Sequence, residues 1–403
     1  MAQKGLSNFF EEYLKRGSLF TNKNVFQGSF LPETIEHRDK QISFIANVLA
    51  PLLKREKPSN LFIYGKTGTG KTMSIKYVID NMHKISESNE IPLKIVYVNC
   101  KLKRVADTEY RLVAQLAREF GKEIPSTGLP TDEVYKIFFN AIEKEKMPVL
   151  LVLDEVDQLL KKAGDGVLYN MTRCNEDLKD SQISLVGLSN DMVFIDNLDP
   201  RVRSSLSEEE LVFPPYNALQ LQDILRQRVK LAFRQDVLEQ GTIEKCAAYS
   251  ARDHGDARRA LELLRVAGEL AEREGNDKLG LDYIDKAEEK IERDRLIDIA
   301  STQPRQSQCI LYSILSLSKR RKGTIFTGEI YECYKGLCNK TGLRILTQRR
   351  ISDVLAELDM LGVINAKIIS KGRYGRTREV SLSLPDSSAA NMANVLEREL
   401  NLA

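Results

Sequence analysis

The sequence predicts an α/β domain built on a mostly parallel sheet, then a helical segment, then a small basic domain. Three observations carry that prediction. Short apolar, β-rich runs alternate with helix-length segments over the first half of the chain. Between Ala218 and about Arg295 no such run appears, and apolar residues recur at helical spacing. Charge is also unevenly spread: the 403 residues carry a net +3, yet residues 301–384 hold 15 Lys and Arg against 6 Asp and Glu, a local +9. Residues 1–300 then sum to −4 and residues 385–403 to −2. A concentrated basic domain on a neutral-to-acidic body points to a polyanion partner.

The element order follows from these patterns. The strand runs are Leu61–Tyr64, Lys94–Val98, Val149–Leu153, Ile183–Gly187 and Glu210–Phe213, each apolar and short enough for a strand buried on both faces. Pro214 and Pro215 stop the pattern. Leu221, Ile224, Leu225 and Val229, then Ala260, Leu261, Leu264 and Val266, mark a helical bundle. The polar stretch 296–308, broken by Pro304, reads as a linker. The resulting domains are 1–214 (α/β), 215–300 (helical), 301–385 (basic) and 386–403 (a tail that extends as a short helix).

Several function classes are set aside by composition. No apolar run approaches the ~18–20 residues that span a bilayer. Met1 to Phe10 lacks the apolar core of a signal peptide, so a cytoplasmic location without a membrane partner is expected. The six cysteines (100, 174, 246, 309, 333 and 338) form no C-x-x-C pair, and the three histidines (37, 83 and 254) are far apart. Neither a disulfide scaffold nor a zinc cluster is indicated.

Gly65-Lys66-Thr67-Gly68-Thr69-Gly70-Lys71-Thr72 matches G-x-x-x-x-G-K-[ST] in full, between a strand and the helical pattern from Met73 to Met82. In that setting glycines let backbone N–H groups turn inward around phosphates, and the helix N-terminus adds partial positive charge. Lys71 reaches the β- and γ-phosphates, and Thr72 is placed to ligate Mg²⁺. Downstream, Leu150–Leu153 ends in Asp154-Glu155. Asp154 at the strand end is placed to hold Mg²⁺ through water, and Glu155 to orient or deprotonate an attacking water. Asp157 is expected to be solvated or to cap a helix. The cofactors indicated are ATP or ADP with Mg²⁺.

At the C-terminal end, Thr347 to Leu361 reads as a helix with Ile351, Val354, Leu355, Leu358 and Leu361 on one face. Thr347 is the N-cap and Gly362 the stop. Gln348, Arg349 and Ser352 then project from the end that a recognition helix presents to the major groove, and Arg350 flanks them and reaches a phosphate. Ile364–Ser370 and Arg378–Leu384 read as strands joined by a turn carrying Lys371, Arg373, Tyr374 and Arg376. A helix followed by a basic hairpin is a winged helix. The competing reading is a protein-binding winged helix with a solvated charged face.

With these features in order, the sequence resembles the AAA+ ATPases, and within them the archaeal replication initiators related to the eukaryotic origin-recognition and cell-division-control proteins. The carrying residues are Asp154–Asp157, Gly187–Asp191, Leu198–Leu206, Phe213–Tyr216, His254–Leu261 and Gly372–Thr377. The resemblance implies that Asn190 is sensor 1, bonding the γ-phosphate or the attacking water, and that Arg258 is the sensor 2 arginine, with Arg259 one position away as the rival. It implies nucleotide contacts from Tyr216 and Arg228; Tyr216 either stacks on adenine or belongs to the core. Residues near Pro32, His37 and Arg38 would wall the base. It also implies a helical insertion at about Gly121 to Lys136 that touches DNA, including Lys122, Ile124 and Pro125. Where many AAA+ proteins carry Ser-Arg-Phe, this chain has Ser204-Ser205-Leu206, so Arg201 or Arg203 would have to serve as the arginine finger. Slow turnover and a switch-like use of ATP follow, since a finger is worth ~10³–10⁵ in rate.

The leading expectation is therefore an ATP-dependent initiator on the nucleoid. Its implied partners are double-stranded origin DNA, the replicative helicase and other initiator subunits on adjacent sites. The alternatives are an ATP-gated winged-helix transcription regulator and an AAA+ motor that loads clamps or helicases.

Overall fold

The computed structural model describes residues 17–402 apart from 29, 102–107, 126, 177, 194–197, 207, 321–323, 371–375 and 384–385. The chain forms two compact units, Met1–Ile284 and Asp285–Ala403. No helix among the described residues is long and apolar enough to cross a membrane.

The first unit is organised by five parallel strands: β1 (Asn60–Tyr64), β2 (Lys94–Asn99), β3 (Pro148–Asp154), β4 (Gln182–Ser189) and β5 (Glu208–Val212). They lie in the order β2-β3-β4-β1-β5. Their helices are α1 (Asp39–Leu49), α2 (Lys71–Ser88), α3 (Glu109–Glu119), α4 (Thr131–Glu145), α5 (Val156–Ala163), α6 (Gly166–Arg173) and α7 (Pro200–Leu206). Because side chains alternate along a strand, each central strand feeds two cores. Leu61, Ile63, Leu150, Val152, Val186 and Leu188 pack with residues of α1 and α2. Phe62, Tyr64, Val149, Leu151, Leu153 and Leu185 pack with residues of α3 to α7. Burial on both faces is why these strands are continuous apolar runs, with β1 and β3 buried at every position. β5, at the sheet edge, begins Glu208-Glu209-Glu210, two residues earlier than its apolar run suggests.

The helical part of this unit comprises α8 (Ala218–Ala232), α9 (Thr242–Arg252) and α10 (Ala257–Glu274). Asn217 and Gln220 form a reciprocal cap on α8, and Asp256 accepts from the Arg258 and Arg259 amides to cap α10. The expected linker is helical instead: α11 (Leu281–Thr302) runs through most of it, and α12 (Arg305–Arg320) resumes just after Pro304. Pro304 punctuates two helices, as its missing N–H allows at a helix start.

The second unit contains α12, β6 (Ile325–Phe326), α13 (Thr327–Thr341), α14 (Gln348–Met360), β7 (Ile364–Ser370), β8 (Arg376–Leu382) and α15 (Asp386–Glu399). β7 and β8 form an antiparallel hairpin, and β6 adds to β8. Ile351, Val354, Leu355 and Leu358 of α14 are buried as their spacing predicts. Leu361 is not: it lies one residue past the helix end and is 37% exposed. β8 starts two residues before the expected Arg378, so Arg376 is paired in register with Ser370. Lys371, Arg373 and Tyr374 lie outside the described residues. The tail is part of this unit's core, with Met392, Leu396 and Leu400 buried and the Tyr312 hydroxyl donating to Glu397 Oε1 at 2.6 Å.

Candidate functional site

A cavity opens where the loop after β1 turns into α2. It is lined by residues Thr67 to Thr72 of that loop, with Asp154, Glu155, Asn190, Tyr216, Arg228 and Arg258 brought from five other places in the chain. The loop is held in a shape that only glycine allows at two points. Gly68 has φ +72°, and a Cβ there would meet Asp256 Oδ1 at 1.7 Å. Gly70 has φ +92°, and a Cβ there would meet the Tyr216 hydroxyl at 2.7 Å. The loop is thus covered by the turn into α10, whose Ala257 amide donates to Gly68 O at 3.1 Å.

Lys71 is buried, and its Nζ donates to Gly65 O at 2.5 Å, Lys66 O at 2.9 Å and Asn190 Oδ1 at 2.9 Å. Burial pushes its ammonium down to about 8; the Asp154 carboxylate opposes that shift and the Arg258 guanidinium adds to it. The Lys66 side chain turns the other way, to 3.5 Å from His254 Nδ1. Thr72 Oγ1 donates to Asp154 Oδ2 at 3.1 Å, and the same carboxylate oxygen accepts from the Tyr97 hydroxyl. Burial, and then that bond to Asp154, pushes the Tyr97 phenol up, so it stays a donor. A hydroxyl and a carboxylate side by side at the end of a phosphate loop are the oxygen donors that Mg²⁺ takes.

Glu155 caps α5 in a left-handed conformation, φ +56°, and its carboxylate is 3.6 Å from Lys101 Nζ. Asp157 is not solvated. It is 4% exposed, and its Oδ1 accepts from Ser189 Oγ at 3.4 Å and from the Asn190 amide at 3.5 Å, tying α5 to the end of β4.

At the head of α10 the two adjacent arginines turn different ways. Arg258 is exposed and lines the cavity, whereas Arg259 Nε pairs with Asp253 Oδ2 at 2.8 Å. Tyr216 also lines the cavity, but the Arg38 guanidinium stands 3.8 Å from its ring centroid. Arg38, 2% exposed, continues to Thr69 O at 2.9 Å and Pro214 O at 2.7 Å, bracing the phosphate loop from behind. Pro32 is a wall of the cavity; His37 instead pairs with Asp223 Oδ2 at 2.9 Å. Arg228 is 2% exposed, and its guanidinium lies 4.6 Å from the Phe30 ring centroid. Among the described residues its Nε and Nη1 meet no hydrogen-bond partner. Burial pushes its guanidinium down to about 10. Sequence reasoning missed Phe30, Tyr97 and Lys101, which no local pattern marks.

Arg201 and Arg203 are not among the cavity's lining residues. Arg201 is exposed and forms two bonds of 3.1 Å to the Asp199 carboxylate; Arg203 is also exposed. Of the expected insertion at Gly121 to Lys136, the described residues form a loop followed by the first turns of α4. Within it Ile124 is a core residue at 3% exposure, and Lys122 is half-buried, its amide donating to Ala117 O at 3.0 Å.

In the second unit Gln348, Arg349 and Arg350 are exposed at the N-terminus of α14, where Thr347 Oγ1 accepts from the Arg350 amide at 3.4 Å. Ser352 bonds back to Gln348 O at 3.1 Å. The exposed Arg350 guanidinium lies 3.6 Å from Asp353 and 3.7 Å from Glu357, acids one and two turns along the same helix.

Three family models match the chain in order. These are an AAA domain over residues 54–191, a Cdc6 AAA+ ATPase-type lid domain over 222–289 and a CDC6 C-terminal winged helix domain over 298–391. The ORC1-type DNA replication protein of Thermococcus onnurineus is 49% identical over 391 residues, 96% of this chain and 94% of that protein. ORC1-type DNA replication protein 1 of Methanosarcina mazei is 50% identical over 384 residues, covering 95% and 92%. Among solved structures, the Aeropyrum pernix ORC1 protein in complex with DNA superposes with a TM-score of 0.81 at 42% identity, covering 94% of this chain and 97% of that one. Identity of this order over nearly the whole length, with an AAA+ domain, its lid and a winged helix in sequence, places the chain in the ORC1/Cdc6 family of DNA replication initiators.

Proposed function

We propose that this chain is an ATP-dependent replication initiator. In this reading it binds double-stranded origin DNA through its winged helix, helps to recruit or load the replicative helicase, and uses slow ATP hydrolysis as a switch. One observation carries the nucleotide half of the reading: Lys71, Asp154, Glu155, Asn190 and Arg258, scattered over 188 positions of sequence, meet at one cavity around the phosphate loop.

The roles follow from position. Loop amides and Lys71 receive the phosphates, and Lys71 exchanges its bonds to Gly65, Lys66 and Asn190 for phosphate oxygens. Thr72 and Asp154 fit a Mg²⁺ ion, which supplies charge neutralisation of the phosphates when bound. Asn190 holds the γ-phosphate or attacking water with its amide, and Glu155 accepts the water's proton. Arg258 reaches the phosphates from α10. The buried Arg228 guanidinium and Phe30 wall the base end. Tyr216 contributes its hydroxyl side, because Arg38 occupies a face of its ring. Arg201 or Arg203, both facing outward, would complete a neighbouring subunit's site.

On the DNA side, Gln348, Arg349 and Ser352 at the head of α14 read base edges, and the hairpin residues Lys371, Arg373, Tyr374 and Arg376 hold the backbone. The Aeropyrum relative was solved on DNA, which supports this half. Protection mapping on the source genome tests the whole reading. A small set of protected duplexes at replication start sites is expected, with protection that changes between ATP and ADP. Uniform protection of all duplexes, indifferent to nucleotide, would overturn it.

A further inference from the structure

Asp154 has a hydrogen-bond donor that belongs to none of the motifs above. Tyr97 sits on β2, in register with Val152 of β3 and two residues before Asn99, which is the partner of Asp154 itself. Its hydroxyl donates to Asp154 Oδ2, the same oxygen that accepts from Thr72 Oγ1 at 3.1 Å. Its ring is held in turn by α2, with Lys76 Nζ 4.9 Å from the ring centroid. Asp154 is only 6% exposed, so its carboxylate is oriented by protein donors rather than by bulk water.

The two hydroxyls have different prospects once nucleotide arrives. Thr72 opens α2 at the cavity wall, and its oxygen is free to leave Asp154 for a cation. Tyr97 stands behind the carboxylate on a strand of the sheet, so its bond persists and keeps the buried oxygen from being orphaned. Mg²⁺ demands near-ideal octahedral geometry and tolerates little wander in its oxygen partners.

We propose that Tyr97 is a positioning residue for the Mg²⁺ site: its hydroxyl fixes the Asp154 carboxylate in the orientation that meets a nucleotide-bound divalent cation. This rests on the nucleotide-site reading above. Outer partners of this kind are worth ~10–100-fold in metal affinity where they have been removed.

The test uses the full chain and equilibrium binding of fluorescent ATP, measured in saturating Mg²⁺ and in excess EDTA. The ratio of the two affinities is the Mg²⁺ advantage. Tyr97→Phe should lower that ratio by ~10-fold while leaving the affinity in EDTA unchanged. On an Asp154→Asn background, Tyr97→Phe should change nothing further. A full Mg²⁺ advantage in Tyr97→Phe overturns the assignment. So does an equal loss with and without Mg²⁺, the mark of a merely structural tyrosine. If the unaltered protein itself shows no Mg²⁺ advantage, the nucleotide-site reading falls, and the role of Tyr97 falls with it.

Discussion

Lys71 makes the protein's stability depend on pH in a way that can be worked out. Its ammonium is lowered from an ordinary 10.5 to about 8, chiefly by burial. A lysine whose folded pKa is depressed binds fewer protons folded than unfolded, so stability rises with pH. The cost of keeping it charged is fully present below pH 8 and disappears as pH climbs from 8 towards 10.5. At 1.36 kcal/mol per unit, that cost is about 3 kcal/mol at pH 7, of which about 2 kcal/mol is relieved by pH 9.5. Lys71→Met removes the titrating group. It also removes three bonds to Gly65, Lys66 and Asn190, worth roughly 1 kcal/mol each, so the two proteins should be similar in stability near pH 7. The difference lies in the slope. Urea unfolding of the nucleotide-free proteins, followed by circular dichroism between pH 7 and 9.5, should show the wild type gaining about 2 kcal/mol on the variant. Parallel pH profiles would refute the argument, and with it the idea that the charged lysine is stored at a cost which phosphate binding recovers.

Other outcomes follow from the same geometry. Glu155→Gln should keep ATP affinity and slow single-turnover hydrolysis by ~10²-fold or more, as for loss of a general base; an unchanged rate would remove Glu155 from the chemistry. Arg258→Ala should weaken discrimination of ATP from ADP, whereas Arg259→Ala should leave it intact and lower stability by ~1 kcal/mol through loss of the pair with the partly exposed Asp253; titration and melting of both variants separate the roles. Arg349→Ala should narrow the gap between specific and scrambled duplex by ~1–3 kcal/mol, and Arg350→Ala, whose guanidinium lies beside Asp353 and Glu357, should narrow it less; affinities on a footprinted and a scrambled site check this. Arg376→Ala should weaken both duplexes alike and reduce the salt slope by about one unit; unchanged slopes would show that the hairpin does not touch DNA.

What could be read from the sequence was what local rules determine. The phosphate loop and Asp154-Glu155 are short motifs whose function needs neighbouring residues, so they are visible without the fold. The parallel strands are visible because burial on both faces makes them continuous apolar runs, and α14 because its buried face repeats at helical spacing. Element ends were harder, since the polar stretch 296–308 is largely helical, and harder still was which way a polar side chain turns. Arg350 lies beside acids on its own helix, a partner choice that spacing permits but does not require. Asp157 fits a solvated or helix-capping acid by sequence, yet Ser189 and Asn190 at the end of β4, over 30 residues away, reach its Oδ1. For Tyr216 the sequence fits an adenine platform or a core residue, and Arg38, remote in sequence, lies against its ring. Tyr97 and Phe30 carry no motif at all; only the sheet register and the packing of the N-terminal segment on α8 bring them to the site.

The contact between the phosphate loop and the head of α10 has a thermodynamic consequence. The Gly68 carbonyl and the Ala257 amide share a hydrogen bond, and the Asp256 carboxylate that caps α10 fills the space a side chain on Gly68 would need. Nucleotide and α10 therefore answer to the same few atoms. Any partner that grips α10 and eases it from the loop must alter nucleotide affinity, and by reciprocity nucleotide must alter that partner's affinity by the same factor. A tenfold effect in one direction is a tenfold effect in the other, about 1.4 kcal/mol of coupling. Such a joint can signal without rapid turnover, because the message is carried by which ligand is bound and not by how often it is cleaved.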